Sequence, residues 1–439
     1  MCKKEVIIIK KYFLLMFCYS IMMACHTQIN TNVNKENKKL DAPKRSAAFQ
    51  RYQSGNLDFE AENPFFPRFS YALTTGLGYF GNPKKDTLIT EKLKAYKGPS
   101  GVPQLVKLRR NQQPLRAAYH LRHGLEGFKE NTTFRDVTSP IKIGDTYHVW
   151  YSKSWGTPPV GQKNGSQESY QDIKGDWKRI YSWDFVSIWH ATSKDTYHWK
   201  EQGLAIEPGP KGSFDDRCVF TPDILVANGK YYMYYQVAQS PHVYKEGPHS
   251  IAMAWADNPN GPWTKSKDLI VTPSEPGHFD SKKVHDPSII VKGGKYYLYY
   301  KGDGEHDNRK QFGEPFYIGW GVAVADKPEG PFIKSDLNPV VVGGHEVVIF
   351  PYKSGVCGIV RQGPELYSMQ YAADGLNFEL VSHVTDVPHA GTFFRQGNYK
   401  DIDLFPAKFP KWGLSHGYRL GSREAFIIRY DVGFGKTKH

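Results

Sequence analysis

Four carboxylates stand at the head of phrases that nearly copy one another. Asp136 lies in RDVTSPIKIGDTYHVWYS (135–152), Asp223 in TPDILVANGKYYMYYQ (221–236), Asp286 in HDPSIIVKGGKYYLYYKG (285–302) and Glu346 in HEVVIFPYKSGVCGIVR (345–361). Steps of 87, 63 and 60 residues separate them, and a further 57 reaches Asp403 in the degenerate phrase DIDLFPAKFPKWGLSH. A single aspartate before a turn is ordinarily a backbone cap. A series in register points instead to side chains gathered in one place. Glycoside hydrolysis calls for such a gathering: one group protonates the leaving oxygen while another activates water or attacks the sugar.

The phrases also announce the elements that must hold these groups. Each runs from its carboxylate through an apolar strand, turns at glycine and returns through a second strand, aromatic in the first three copies. A second hairpin follows each, marked by ATSKDTYHW (191–199), AWADNPNGPW (254–263), AVADKPEGPF (323–332) and QYAADGLNF (370–378). Two hairpins make a four-stranded unit, and repetition at a period near 60 residues is the signature of a β-propeller. Five copies predict an all-β fold, a five-bladed β-propeller over residues 131–439. Innermost strands of a propeller begin at one rim, so the carboxylates are expected to converge on a funnel. Trp155, Trp183, Trp189 and Trp320 are candidates for stacking on sugar faces at that rim.

Composition narrows the partners. Of 439 residues, 23% are charged and 40% hydrophobic, the profile of a globular chain. The formal net charge is +13, yet lysines and arginines are scattered and no nucleic-acid motif is present, so nucleic acid is not an expected partner. A sulfated or acidic polysaccharide fits the charge, as does an excess without a role. Lys10-Lys11, the short apolar run Tyr12–Ala24 and Met22-Met23-Ala24-Cys25 have the form of a signal peptide ending in a bacterial lipobox (1–25). The polar, lysine-rich stretch 26–45 reads as a flexible tether. An exported protein held by lipid, in the periplasm or at the outer membrane, is expected. Past Cys25 only Cys218 and Cys357 remain, enough for one disulfide. Residues 46–130 form an N-terminal helical or irregular extension, opening with a short helix (Ala47, Ala48, Phe49, Arg51) capped by Ser46. Such a helix must dock on its own propeller or on a neighbour's.

Several motifs, taken together and in order, resemble a known family. They are Ser46-x-Ala48-x-x-Arg51, Arg135-Asp136, Thr157-Pro158-Pro159-Val160-Gly161, Thr221-Pro222-Asp223, His285-Asp286-Pro287, Gly344-His345-Glu346 and Trp412-Gly413-Leu414-x-His416. The chain resembles five-bladed glycosidases of the family 43 type and, more closely, glycoside hydrolase family 117 from about residue 46 to about 418. That family includes exo-acting α-1,3-(3,6-anhydro)-L-galactosidases that trim neoagaro-oligosaccharides. The resemblance implies that Asp136 is the base of an inverting reaction and His345 an unusual general acid. It implies that Asp286 and Glu346 steady developing charge and hold that histidine, since an imidazole acid needs a carboxylate beside it to keep its proton. Asp223, His285, Arg135, Trp189, Trp320 and His416 are the expected sugar contacts. A divalent cation near the channel and a homodimer formed by exchange of the N-terminal helix are implied too, although no metal-ligand spacing is visible. Val137 and Tyr352 depart from the family's usual Arg-Asp-Pro and Phe-Pro-Trp, and the loops 161–180 and 304–317 are individual to this chain. These loops bear on the substrate rather than the chemistry. Two rivals stand beside this reading: a carbohydrate-binding propeller without turnover, and a family 43-like glycosidase, which would use a glutamic acid in place of His345.

Overall fold

A computed structural model describes residues 45–54, 66–73, 132–155, 170–171, 177–178, 186–210, 212–239, 248–304, 318–384, 388–395, 400–418 and 425–435. All of them belong to one unit, Arg45–His439. The expected signal peptide, lipobox and tether, most of 46–130, the Thr157–Gly161 motif, Trp183, the Trp155 side chain and nearly all of the loops 161–180 and 304–317 lie outside the described residues.

Among the described residues the fold is all-β apart from the helix Ala47–Ser54. Each sequence phrase becomes an antiparallel hairpin. Strands Cys218–Ala227 and Lys230–Ala238 meet at Asn228-Gly229, and strands Lys283–Lys292 and Lys295–Asp303 meet at Gly293-Gly294. Both residues of each turn have positive φ (52° and 75°, then 57° and 70°), the backbone of a two-residue hairpin loop that matches strand twist.

The strands group as the phrases foretell. Thr132–Val137, Thr146–Trp155, Ser187–Ser193 and Trp199–Ile206 order one sheet, with Ile141–Ile143 attached to its second strand. A nine-stranded sheet follows, made of two antiparallel sets that begin at Cys218–Ala227 and Lys283–Lys292. One parallel pair, His249 opposite Lys283, joins the two sets. Ile349–Tyr352, Gly355–Val360, Ser368–Ala372 and Glu379–His383 make another sheet.

The final sheet corrects the domain boundary. Thr392–Phe393, Trp412–Tyr418 and Ala425–Gly435 are completed by Phe66–Leu73, which pairs antiparallel with the last of them from Phe66–Gly435 to Leu73–Ile428. The stretch read as an extension therefore supplies a strand, covering an edge that would otherwise expose unpaired amides. Asp403 does not head this sheet. It pairs with Lys292 at 2.5 Å while Asp401 caps the amides of Gly293 and Gly294, so DIDLF is a clamp on a hairpin tip. Cys218 and Cys357 are both buried and are not joined in a disulfide.

Two-residue periodicity builds the core. Tyr232 and Tyr234 enter one apolar cluster with Leu298 and Tyr300, whereas Met233 and Tyr235 face another with Trp150 and Ile188. Alternate residues leave opposite faces of a strand, so the aromatic hairpins are buried on both sides. Trp320 belongs to this interior, fully buried with Tyr299, Val322 and Phe378. Trp189 packs against Phe134 and Tyr151, its ring 3.8 Å from the Lys153 ammonium. Trp320 thus has no exposed face to offer a sugar, and one face of the Trp189 ring is covered by the Lys153 ammonium.

The helix Ala47–Ser54 lies on its own chain. The Ser46 hydroxyl accepts the Phe49 amide at 3.2 Å, an N-cap, and donates to the Pro339 carbonyl at 2.6 Å. Arg51 donates to buried Glu365 at 2.9 Å and to the Phe378 carbonyl at 2.9 Å. Ala48 and Phe49 are buried beneath it.

Candidate active site

The carboxylates owe their direction to a repeated backbone irregularity. Register slips between Arg135 and Val137, and between His285 and Ser288, so that extra residues bulge from these strands. Asp136 and Asp286 sit in the bulges with φ of 47° and 52°. Glu346 (66°), Thr221 (46°) and Ala390 (45°) share this left-handed conformation, uncommon for any residue but glycine. These five residues line one shallow cavity of about 40 Å³, together with the residue after each. The true register is thus Asp136, Thr221, Asp286, Glu346 and Ala390.

Asp223 falls two residues beyond the left-handed position and has a different task. Its Oδ2 pairs with Arg395 at 2.6 Å and accepts the Ile289 amide at 2.9 Å, while Oδ1 accepts the Ser139 amide at 3.4 Å. Both side chains of the pair are buried. Asp223 ties neighbouring strands together rather than meeting sugar.

Around the cavity, side chains form a chain of contacts. Asp136 Oδ2 accepts Arg135 Nε at 2.6 Å, so Arg135 orients the carboxylate. His416, fully buried and likewise out of reach of sugar, lies 3.4 Å from Asp136 Oδ1, and its Nδ1 accepts the Asp136 amide at 3.3 Å. The rings of His416 and His389 are 4.6 Å apart, and His389 Nδ1 is 3.3 Å from Glu346 Oε1. His345 Nδ1 is 3.4 Å from the same oxygen, with Arg361 3.8 Å from Oε2. His345 is half-exposed, the only histidine of this group open to solvent. Asp286 pairs with buried Lys301 at 2.7 Å, and His285 lies between Asp286 and Asp303, 3.5 Å from the latter.

Electrostatics separate these groups by role. Burial pushes the Asp136 carboxyl up to about 6; Arg135 opposes the rise, and Glu346 and Asp286 add to it. Burial also works against ionised Asp286, but the Lys301 ammonium prevails and holds it below the ordinary range. Glu346 is likewise opposed by burial, yet His389 and His345 hold it well below the ordinary range. Burial keeps His416 well below the usual imidazole value, as a neutral acceptor for the Asp136 amide. The site therefore offers one carboxylate of raised basicity, two firmly ionised carboxylates and one accessible imidazole.

A divalent cation would find donors in Glu346, His389 and His416, whose ligand atoms lie within 4.8 Å of one another. Imidazole and carboxylate suit such ions, and Glu346 Oε1 is buried without a hydrogen-bond donor. Sequence reasoning missed His389, Arg361 and Lys301. His389 had a signal: it precedes its left-handed residue as His285 and His345 precede theirs.

Comparisons with known proteins bear on the family and the fold. The family model for glycosyl hydrolases family 43 matches residues 156–288. A beta-xylosidase from Xylanibacter ruminicola is 34% identical over 85 residues, 18% of this chain and 24% of that protein. The chain thus spans about a quarter of that curated relative's length. Among solved structures, one described simply as a glycoside hydrolase is similar in fold alone, at 11% identity and a TM-score of 0.50 over 71% of this chain and 90% of that one. Zg3597, a family 117 glycoside hydrolase produced by the marine bacterium Zobellia galactanivorans, is 31% identical. It superposes with a TM-score of 0.63 over 84% of this chain and 92% of that one. With the bulged carboxylates and the His345–Glu346 pair in place, that extent of similarity means the chain belongs to glycoside hydrolase family 117.

Proposed function

We propose that the protein is an exo-acting, inverting hydrolase that removes terminal α-1,3-linked 3,6-anhydro-galactose from red-algal galactan oligosaccharides of the neoagaro type. The observation that carries this reading is the convergence of five left-handed residues on one small cavity, with Asp136 on one side and the exposed His345 beside Glu346. Five such positions, one per four-stranded group, support a five-bladed propeller whose channel opens at this cavity.

In the reaction, Asp136 takes a proton from water as that water attacks the anomeric carbon. His345 delivers its proton to the leaving glycosidic oxygen as the carbon–oxygen bond breaks. Glu346, 3.4 Å from His345 Nδ1, is placed to pair with the protonated ring. Asp286 and Glu346 supply negative charge near a sugar that becomes oxocarbenium-like. Arg135 and His416 hold Asp136 in direction. A cation at Glu346, His389 and His416 would supply a fixed positive charge at the floor of the site. Incubating the protein with a panel of red-algal oligosaccharides tests the reading: a released terminal monosaccharide is expected, and no product from any member would contradict it.

Assembly and location complete the proposal. The helix is proposed to exchange between two copies, making on the partner the contacts that Ser46 and Arg51 make here on their own chain, and so to give a homodimer. Light scattering should show a dimer, and a monomer at micromolar concentration would contradict the exchange. Cys25 is proposed to carry the lipid that holds the protein at the outer membrane.

A further inference from the structure

Two further cavities lie away from the funnel. They adjoin, at about 210 and 270 Å³, and share Pro351, Arg395, Ala407 and Lys408. Either alone is below the 300–1,000 Å³ common for small-molecule sites, and joined they fall within it. The strand Lys283–Lys292 fixes their place: Asp286 faces the funnel, whereas Ile289–Val291 line this groove. At about 3.3 Å per residue, three to five residues put the groove roughly 10–16 Å further along the strand.

Its lining is distinctive. Phe405 and Phe409 give apolar ring surface beside the buried Trp412, and Lys400, Lys408 and Lys411 bring three exposed ammonium groups. Phe405 is 54% exposed, with the Lys400 ammonium 4.6 Å from its ring centre. Among the described residues no carboxylate pairs with any of these lysines. The nearby acids are engaged elsewhere: Asp401 with the amides of Gly293 and Gly294, Asp403 with Lys292, and Asp223 with Arg395 on the groove's floor. Ring faces beside unpaired cations match a polymer whose sugar rings are apolar on one face and carry anionic substituents at their edges.

We propose that this groove is a second carbohydrate site, one that holds a sulfated galactan strand without cleaving it. It is separate from the funnel and independent of which terminal sugar the funnel removes. Bound there, a polymer would keep the enzyme on its substrate while chain ends are sampled at the other rim.

The test is affinity electrophoresis of the whole exported chain in gels containing sulfated galactan, its desulfated counterpart or polyglutamate. Wild-type protein should be retarded by the sulfated galactan, less so as salt rises. The Lys408→Glu/Lys411→Glu variant should bind about tenfold more weakly, with unchanged thermal unfolding and unchanged turnover of short neutral oligosaccharides. Phe405→Ala, at an exposed ring, should also weaken retardation and reports on stacking rather than charge. Equal retardation of wild type and the double variant would overturn the proposal. So would equal retardation by polyglutamate, which would show charge without recognition, or no retardation at all.

Discussion

Asp286 and Asp223 stand in neighbouring copies of one strand motif, Asp-Pro-Ser and Thr-Pro-Asp, and both are taken out of bulk water. Only two residues of register separate their positions. Asp286 occupies the left-handed bulge position and faces the cavity, with Lys301 holding it ionised. Asp223 lies further along its strand, where Arg395 and two backbone amides take up its oxygens. The same residue type thus faces the candidate site in one place and ties strands together in the other. The left-handed position, rather than the carboxylate, marks the cavity lining: Thr221 and Ala390 occupy it without any charge.

The comparison can be broken at either end. Asp136→Asn should reduce hydrolysis roughly a thousandfold, because a positioned base is lost. Its thermal midpoint should not fall, since burial disfavours the charge that asparagine removes. Turnover near the wild-type rate would remove Asp136 from the chemistry. Asp223→Ala should do the reverse, costing about 3–5 kcal/mol of stability by leaving Arg395 buried without its partner. Denaturant unfolding measures this, and lost activity at full stability would return Asp223 to the reacting set. Arg51→Ala lies outside both regions and should cost about 1–3 kcal/mol, because the fully buried Glu365 carboxylate loses its cation. An unchanged unfolding midpoint would show that the helix contributes nothing to the fold it covers.

Much of this was legible in the sequence, for reasons the two aspartates make plain. Hairpins were visible because alternating aromatics and glycine turns are local signals, whereas Glu346 was visible through the repeat and His345 only through the resemblance of Gly344-His345-Glu346 to a family motif. Bulges are not local: whether a strand slips depends on its partner, so Thr-Pro-Asp and Asp-Pro-Ser looked aligned by their carboxylates when they align by their prolines. The last copy was misplaced for a related reason. Its left-handed residue is Ala390, which leaves nothing for a search by charge to find, and Asp403 was taken in its stead. Trp189 and Trp320 could not be sorted into rim or core because strand alternation shows which residues share a face, not what covers it. Phe66–Leu73 was missed as a strand because its partner, Ala425–Gly435, lies at the other end of the chain.

The central claim is that Asp136 and His345 act on opposite sides of a terminal sugar, with water between the base and the anomeric carbon. Proton NMR of the sugar first released from a neoagaro-oligosaccharide, recorded before mutarotation, tests it most directly. The account predicts the anomer of inverted configuration. A first-formed product that retains the configuration of the substrate would contradict it.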